Sequence, residues 1–147
     1  MLKDKIEQDL IEAMKAHNEA VVSVLRMLKS AVKNQEIQKQ TELKDEDLVS
    51  VIQGQVKQRQ DSIALYEQGG RTELADKEKA EIEILIKYLP EQMSEKEIRE
   101  LVKKAITSTG AASIQDMGKV MGALMPQVKG KADGGLVSKI VQEELKN

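Results

Sequence analysis

The chain has 147 residues, 25 of them acidic and 23 basic for a net charge of −2, and 40% are apolar, yet it holds no cysteine, tryptophan or phenylalanine and only two tyrosines. Without cysteine there is no disulfide framework, thiolate metal site or thiol nucleophile, and a single histidine, His17, excludes a multi-histidine metal centre. The core must therefore be built from Leu, Ile, Val, Ala and Met, which suits packed helices.

Apolar residues recur at helical spacing along nearly the whole chain and no segment alternates as a half-buried strand would, so an all-α fold is expected. The first predicted helix places Leu2, Ile6, Leu10, Ala13 and Met14 on one face and ends at His17-Asn18, with Asn18 a natural N-cap for the next. That second helix carries Val21, Val24, Leu25, Leu28 and Val32 and runs to about Lys39; Gln38 to Lys44 reads as a connection. A third begins at Lys44 or Asp45 with Leu48, Val51, Ile52, Val56, Ile63 and Tyr66 as its stripe, and carries Gly54 at a cost of about 1 kcal/mol relative to Ala. Gly69-Gly70 stops it. Thr72 is then expected to cap a fourth helix with Leu74, Ile82, Leu85, Ile86 and Leu89 inward and the charged section Asp76 to Glu83 toward water, ending at Pro90.

A domain boundary is expected within Pro90 to Met93, giving an N-terminal helical domain over 1–89 with a long helical hairpin and a small three-helix domain over 90–147. Ser94 to Glu97 has the S-x-x-E form of a capping box, and Ile98, Leu101, Val102, Ala105 and Ile106 make the stripe of the helix that Gly110 stops. Ser113 is expected to cap a sixth helix bearing Ile114, Met117, Val120, Met121, Leu124 and Met125 and ending near Pro126. After a loop over Gln127 to Ala132, Asp133 caps the last helix, with Leu136, Val137, Ile140, Val141 and Leu145 inward.

The longest apolar runs fall far short of the roughly 20 residues of a membrane span, so no membrane partner is expected. The first six residues, charged from Lys3 on, lack the apolar region of a secretory signal, and from this a cytoplasmic location is expected. No phosphate-binding GxxxxGKS or dinucleotide-binding GxGxxG pattern occurs, and no cofactor is expected. His17 lacks a nucleophile arranged around it in the local sequence, and no catalytic residue is assigned. Residues 1–89 carry 14 basic and 17 acidic side chains and 90–147 carry nine and eight, so neither half is a general nucleic-acid binder. Locally, Lys119, Lys129, Lys131 and Lys139 face only Asp133 between Met117 and Lys139; a second small basic stretch is Arg26 to Lys39. Gly118 and Gly122 form a G-x-x-x-G whose usual meaning is close packing of another helix. In Lys129-Gly130-Lys131 two lysines flank a glycine just ahead of a helix N-terminus, where backbone N–H groups favour a phosphate.

Tyr88-Leu89-Pro90-Glu91-Gln92, Asp116-Met117-Gly118-Lys119-Val120-Met121-Gly122, Met125-Pro126, Val128-Lys129-Gly130-Lys131-Ala132-Asp133-Gly134 and Leu136-Val137 together resemble the YqeY family, as does Val24-Leu25-Arg26-Met27-Leu28-Lys29-Ser30-Ala31 in the first half. The resemblance covers essentially the whole chain. That family is similar to the C-terminal tail of the B subunit of the tRNA-dependent amidotransferase that converts Glu-tRNA(Gln) or Asp-tRNA(Asn). The resemblance implies a tRNA-binding or RNA-binding accessory role falling on Lys119, Lys129 and Lys131, with Gly118, Gly122 and Gly130 shaping the surface and Asp133 at the helix cap. It also implies tRNA and the amidotransferase or aminoacyl-tRNA machinery as partners. The amidotransferase's kinase and transamidation chemistry lies in a domain this chain does not contain, so the isolated chain is expected not to be an enzyme. The alternatives are a non-catalytic component of glutamine-dependent, carbon–nitrogen-ligase-type amide formation, or a protein-interaction module without nucleic acid. Where the amidotransferase tail has Asn-Pro after its Gly-Lys-Ala, this chain has Asp133-Gly134, which retains a cap but adds a negative charge beside the lysines.

Overall fold

The computed structural model describes residues 1–146; its regular elements are seven α-helices and one 3-10 turn, and no strand occurs among the described residues, so the fold is all-α. The chain divides into two compact units, Met1–Leu89 and Pro90–Asn147.

The first unit consists of α1 (Leu2–Lys15), α2 (Glu19–Lys39), α3 (Asp45–Gln68) and α4 (Thr72–Ile86). His17, with φ at 54°, turns the chain at the end of α1, while the Asn18 N–H returns to the Ala13 carbonyl at 2.9 Å and its side chain accepts from the Val21 N–H at 3.4 Å. One residue thus closes α1 and caps α2. Asp45, Glu46 and Asp47 fill the first turn of α3, where the helix dipole favours acids, and the Asp47 carboxylate reaches back to the Lys44 N–H at 3.1 Å. Gly70, at φ 70°, stops that helix, and Arg71 rather than Thr72 occupies the N-cap of α4, without a side-chain cap bond.

Val24, Leu25, Leu28, Leu48, Ile52 and Leu85 are fully buried at the centre of this unit. Leu43, in the connection between α2 and α3, is buried with them, so that segment contributes to the core although it carries no apolar stripe. Met14, Leu74 and Ile86, expected inward, are exposed. In α4 Leu85 is buried and Ile82 packs against the core as expected, Ala75 joins them, and Glu78 and Glu81 are half-buried.

Those two glutamates answer a cation that the apolar pattern hid. Arg59 of α3 is only 5% exposed, and its Nε lies 3.0 Å from Glu81 Oε2 and 3.9 Å from Glu78 Oε2. Its Nη1 donates to the Gln55 side-chain oxygen at 2.9 Å and the Gln55 carbonyl at 3.3 Å. The middle of α4 therefore does not simply face water. Lys79 pairs with Glu67 at 2.9 Å, so α3 and α4 run as an antiparallel hairpin. Gly54 lies on the open side of α3 and an added Cβ would meet nothing within 4 Å. Gly54→Ala should stabilise the unit by about 1 kcal/mol in urea unfolding.

The C-terminal end of the unit is fastened by Tyr88, whose hydroxyl donates to Asp9 Oδ2 at 2.6 Å while Lys5 Nζ stands 5.8 Å from the ring centroid. Burial, then the hydrogen bond and charge of Asp9, raise the phenol's pKa above its ordinary value. Because the folded pKa is the higher one, this stabilisation is complete below about pH 10 and is lost as pH rises past it. Tyr88→Phe should cost about 1–2 kcal/mol at neutral pH, and the stability of the variant should fall less steeply above pH 10. Equal alkaline slopes would show that Tyr88 is not the titrating lock.

The second unit is α5 (Glu95–Thr109), a 3-10 turn over Ile114–Asp116, α6 (Met117–Val128) and α7 (Gly134–Lys146). Ser94 and Glu97 make the reciprocal capping box, with bonds of 3.2 and 3.0 Å. Gly110, at φ 69°, ends α5. Ile98, Val102, Val120, Leu124, Val128, Val137, Ile140 and Val141 form the core. Arg99 joins α5 to α7 through Glu143 at 2.9 Å and Glu144 at 2.7 Å, and this pairing lowers the Glu143 pKa. Two boundaries differ from expectation. Ser113 starts the 3-10 turn, not α6 itself, and α6 runs through Pro126 to Val128, taking Gln127 and Val128 out of the loop. Proline removes the bond to the Gly122 carbonyl, but Val128 is 1% exposed and its burial holds the last turn helical.

Candidate functional site

The segment between α6 and α7 is short and tightly specified. Lys129 leaves the helix with extended backbone, and Gly130 reverses direction at φ 78°, a conformation glycine accepts without a Cβ clash. The N–H groups of Lys131 and Ala132 return to the Val128 carbonyl at 2.9 and 3.1 Å, and Ala132 is buried. The other side of this loop is held by residues nearly forty positions earlier. Gln92 Nε2 donates to the Gly130 carbonyl at 3.0 Å and to the Pro90 carbonyl at 2.7 Å, and the Met93 N–H donates to the Lys131 carbonyl at 2.8 Å. Gln92 and Met93 thus position the loop. The loop backbone is tethered, while Lys129 and Lys131 remain exposed.

Asp133 accepts from the Leu136 N–H at 3.2 Å and so caps α7 with its own carboxylate. That negative group stands where a phosphate at this helix terminus would sit, so an anion here meets the lysine side chains rather than bare helix N–H groups.

At the other end of α6, Asp116 accepts from the Ala112 and Ser113 N–H groups at 2.9 and 3.3 Å. These two bonds lower its pKa, with a smaller contribution from the charge of Lys119. Lys119 is exposed on the first turn of α6, about 15 Å along the axis from Lys129. Gly118 precedes Lys119 and Gly122 lies one turn further along α6, both exposed, and a Cβ added at either would meet nothing within 4 Å. The close packing expected of the G-x-x-x-G is absent among the described residues: the glycine face of α6 is open. Gly122→Ala should accordingly raise the stability of this unit by about 1 kcal/mol, read by thermal unfolding; a decrease would mean that the face is covered in solution.

Among the described residues no group of three or more His, Asp or Glu is placed to hold a metal ion, and no helix is long and apolar enough to cross a membrane. His17 is a turn residue with left-handed backbone.

A family model described as Yqey-like protein matches residues 3–145. The chain belongs to the YqeY family. Among its relatives is a protein of Pyrenophora tritici-repentis named "Altered inheritance of mitochondria protein 41, mitochondrial", 32% identical over 142 residues, which cover 95% of this chain and 78% of the relative. Proteins of the same name in Clavispora lusitaniae and Saccharomyces cerevisiae are 33% and 32% identical, over 86% and 81% of this chain and 74% and 68% of their own lengths. These mitochondrial YqeY relatives overturn the expectation of a cytoplasmic location. It rested on the missing apolar region of a secretory signal, and mitochondrial transit peptides are recognised by a different feature, an Arg-rich amphipathic helix.

Proposed function

We propose that this YqeY protein is a non-catalytic accessory that binds tRNA or a similar RNA along α6 and the loop that follows it. The observation that carries the reading is the open glycine face of α6, with exposed Lys119 at one end and exposed Lys129 and Lys131 at the other. A helix turn that is bare on one side, as between Gly118 and Gly122, lets a phosphate backbone come close, and the nearby lysines supply counter-charge. Asp116 and Asp133, each committed to backbone N–H groups, keep the surrounding loops in shape. Recognition of this kind is phosphate-dominated, since the unit that carries these lysines contains no aromatic residue on which a base could stack.

Titration with total tRNA, beside a control protein of similar charge, tests the reading. Three lysine–phosphate pairings, each adding about −0.7 to −0.9 to the log–log slope, predict that affinity falls roughly 20- to 40-fold between about 50 and 200 mM salt. Binding no stronger than the control at the lower salt would retire the proposal.

A further inference from the structure

The first unit carries a groove that the RNA reading does not use. Between α1 and α2 the outer surface opens into a cavity of about 880 Å³, floored by the core residues Ile6, Leu10, Val32 and Leu48. A second depression of about 620 Å³ continues it past Arg26 toward Met14 and Met27. Along α2 the groove follows a single helical stripe, Val22, Arg26, Ser30, Lys33 and Ile37, which spans about 22 Å.

Charge along the stripe is uneven. Lys3 is paired with Glu36 at 2.9 Å and Lys29 with Glu7 at 2.7 Å, and both pairs tie α1 to α2. Glu42, at the Ile37 end, acts on Lys3. Arg26 and Lys33 have no ion pair or hydrogen bond among the described residues, and both are exposed. They stand seven residues apart, two helical turns on one face. Beyond them lie exposed apolar side chains, Ile37 at 65% at one end and Met14 and Met27 at the other, the latter beside His17 and Glu19 at the rim. The order is apolar, cation, cation, apolar.

We propose that this groove seats an amphipathic helix of a partner protein, one that carries two carboxylates seven residues apart between apolar anchors. A furrow between two antiparallel helices is the natural seat for a third, whose side-chain ridge fills it. Methionines at one end suit a partner surface that needs adaptable contacts. A single-chain anionic lipid fits the arrangement poorly, because its charge is at one end whereas the cations here are in the middle with apolar surface on both sides. A nucleic acid would leave the apolar ends unused.

The test uses the full chain, nuclease-treated and immobilised, as the target for a displayed library of helical peptides about 18 residues long, matching the stripe with a turn to spare. Enriched peptides should carry carboxylates at i and i+7 on an apolar face. Their affinity, read by fluorescence anisotropy, should fall about tenfold or more for Arg26→Glu/Lys33→Glu, and recover when the two peptide acids are exchanged for lysines. Circular dichroism of the double variant checks that the fold is kept. No enrichment, or peptides that bind the double variant equally well, would overturn the proposal. So would self-association of the wild-type chain in sedimentation that the double variant abolishes, since a second copy would then be the occupant.

Discussion

Arg59→Ala is expected to lower the stability of the N-terminal unit by about 3 kcal/mol, more than its replacement on a helix surface would suggest. The guanidinium is 5% exposed and holds Glu81 at 3.0 Å and the Gln55 side chain at 2.9 Å. Truncation removes its packing and leaves two half-buried acids, Glu78 and Glu81, without the counter-charge they share. Glu81→Gln should cost only about 1 kcal/mol, because an amide oxygen can still accept from Arg59 Nε and Gln55 still accepts from Nη1. Replacing both ends, as in Arg59→Leu/Glu81→Leu, should be less harmful than Arg59→Ala alone, since what destabilises is a buried charge without its partner. Tyr66 and Tyr88 both lie in this unit, so tyrosine fluorescence follows its unfolding in urea separately from the helical signal of the whole chain. A cost below about 1 kcal/mol for Arg59→Ala would mean that water reaches the glutamates freely.

The Arg59 cluster also marks where sequence pattern and structure part. Its neighbours at helical spacing, Val56 and Ile63, are apolar, and a lone arginine between them reads as a solvated position until α4 brings two glutamates alongside. Signals that act within a few residues were readable: Asn18 and Ser94 cap as their types and spacing indicate, and Gly70 and Gly110 stop helices because they take positive φ. The ends of α1 and α2 use the same left-handed conformation at His17 and Gln40, residues that carry no such signal, and only the tertiary course of the chain selects it. Pro126 misled in the other direction, because burial of Val128 outweighs what proline costs in the last turn of a helix.

The candidate site divides along the same line. Lys129, Gly130, Lys131 and Asp133 are contiguous, and a loop ahead of a capped helix could be read from them directly. The tethers from Gln92 and Met93 could not, because hydrogen bonds to backbone carbonyls leave no mark in the type of residue that accepts them. Nor does a G-x-x-x-G say whether the partner of its glycine face lies inside the chain or outside it. Here the described residues leave that face uncovered, and the choice between packing and binding turns from a matter of spacing into an experiment.

Reversing the two loop lysines is that experiment. Lys129→Glu/Lys131→Glu changes the local charge by four units on a loop whose backbone is held by Gln92, by Met93 and by its own turn. The fold should therefore persist while tRNA affinity at about 50 mM salt drops at least tenfold and the salt slope shallows by roughly 1.4 to 1.8, about 0.7 to 0.9 for each lysine that no longer neutralises a phosphate. Lys103→Glu/Lys104→Glu on α5 changes net charge by the same amount at other exposed positions and supplies the comparison. If both pairs weaken binding equally, attraction to the RNA is a matter of overall charge and the loop is not its seat. If only the loop pair does, Gly122→Ala becomes informative, because a stabilised helix that binds RNA less well would place the phosphate backbone against the open face of α6.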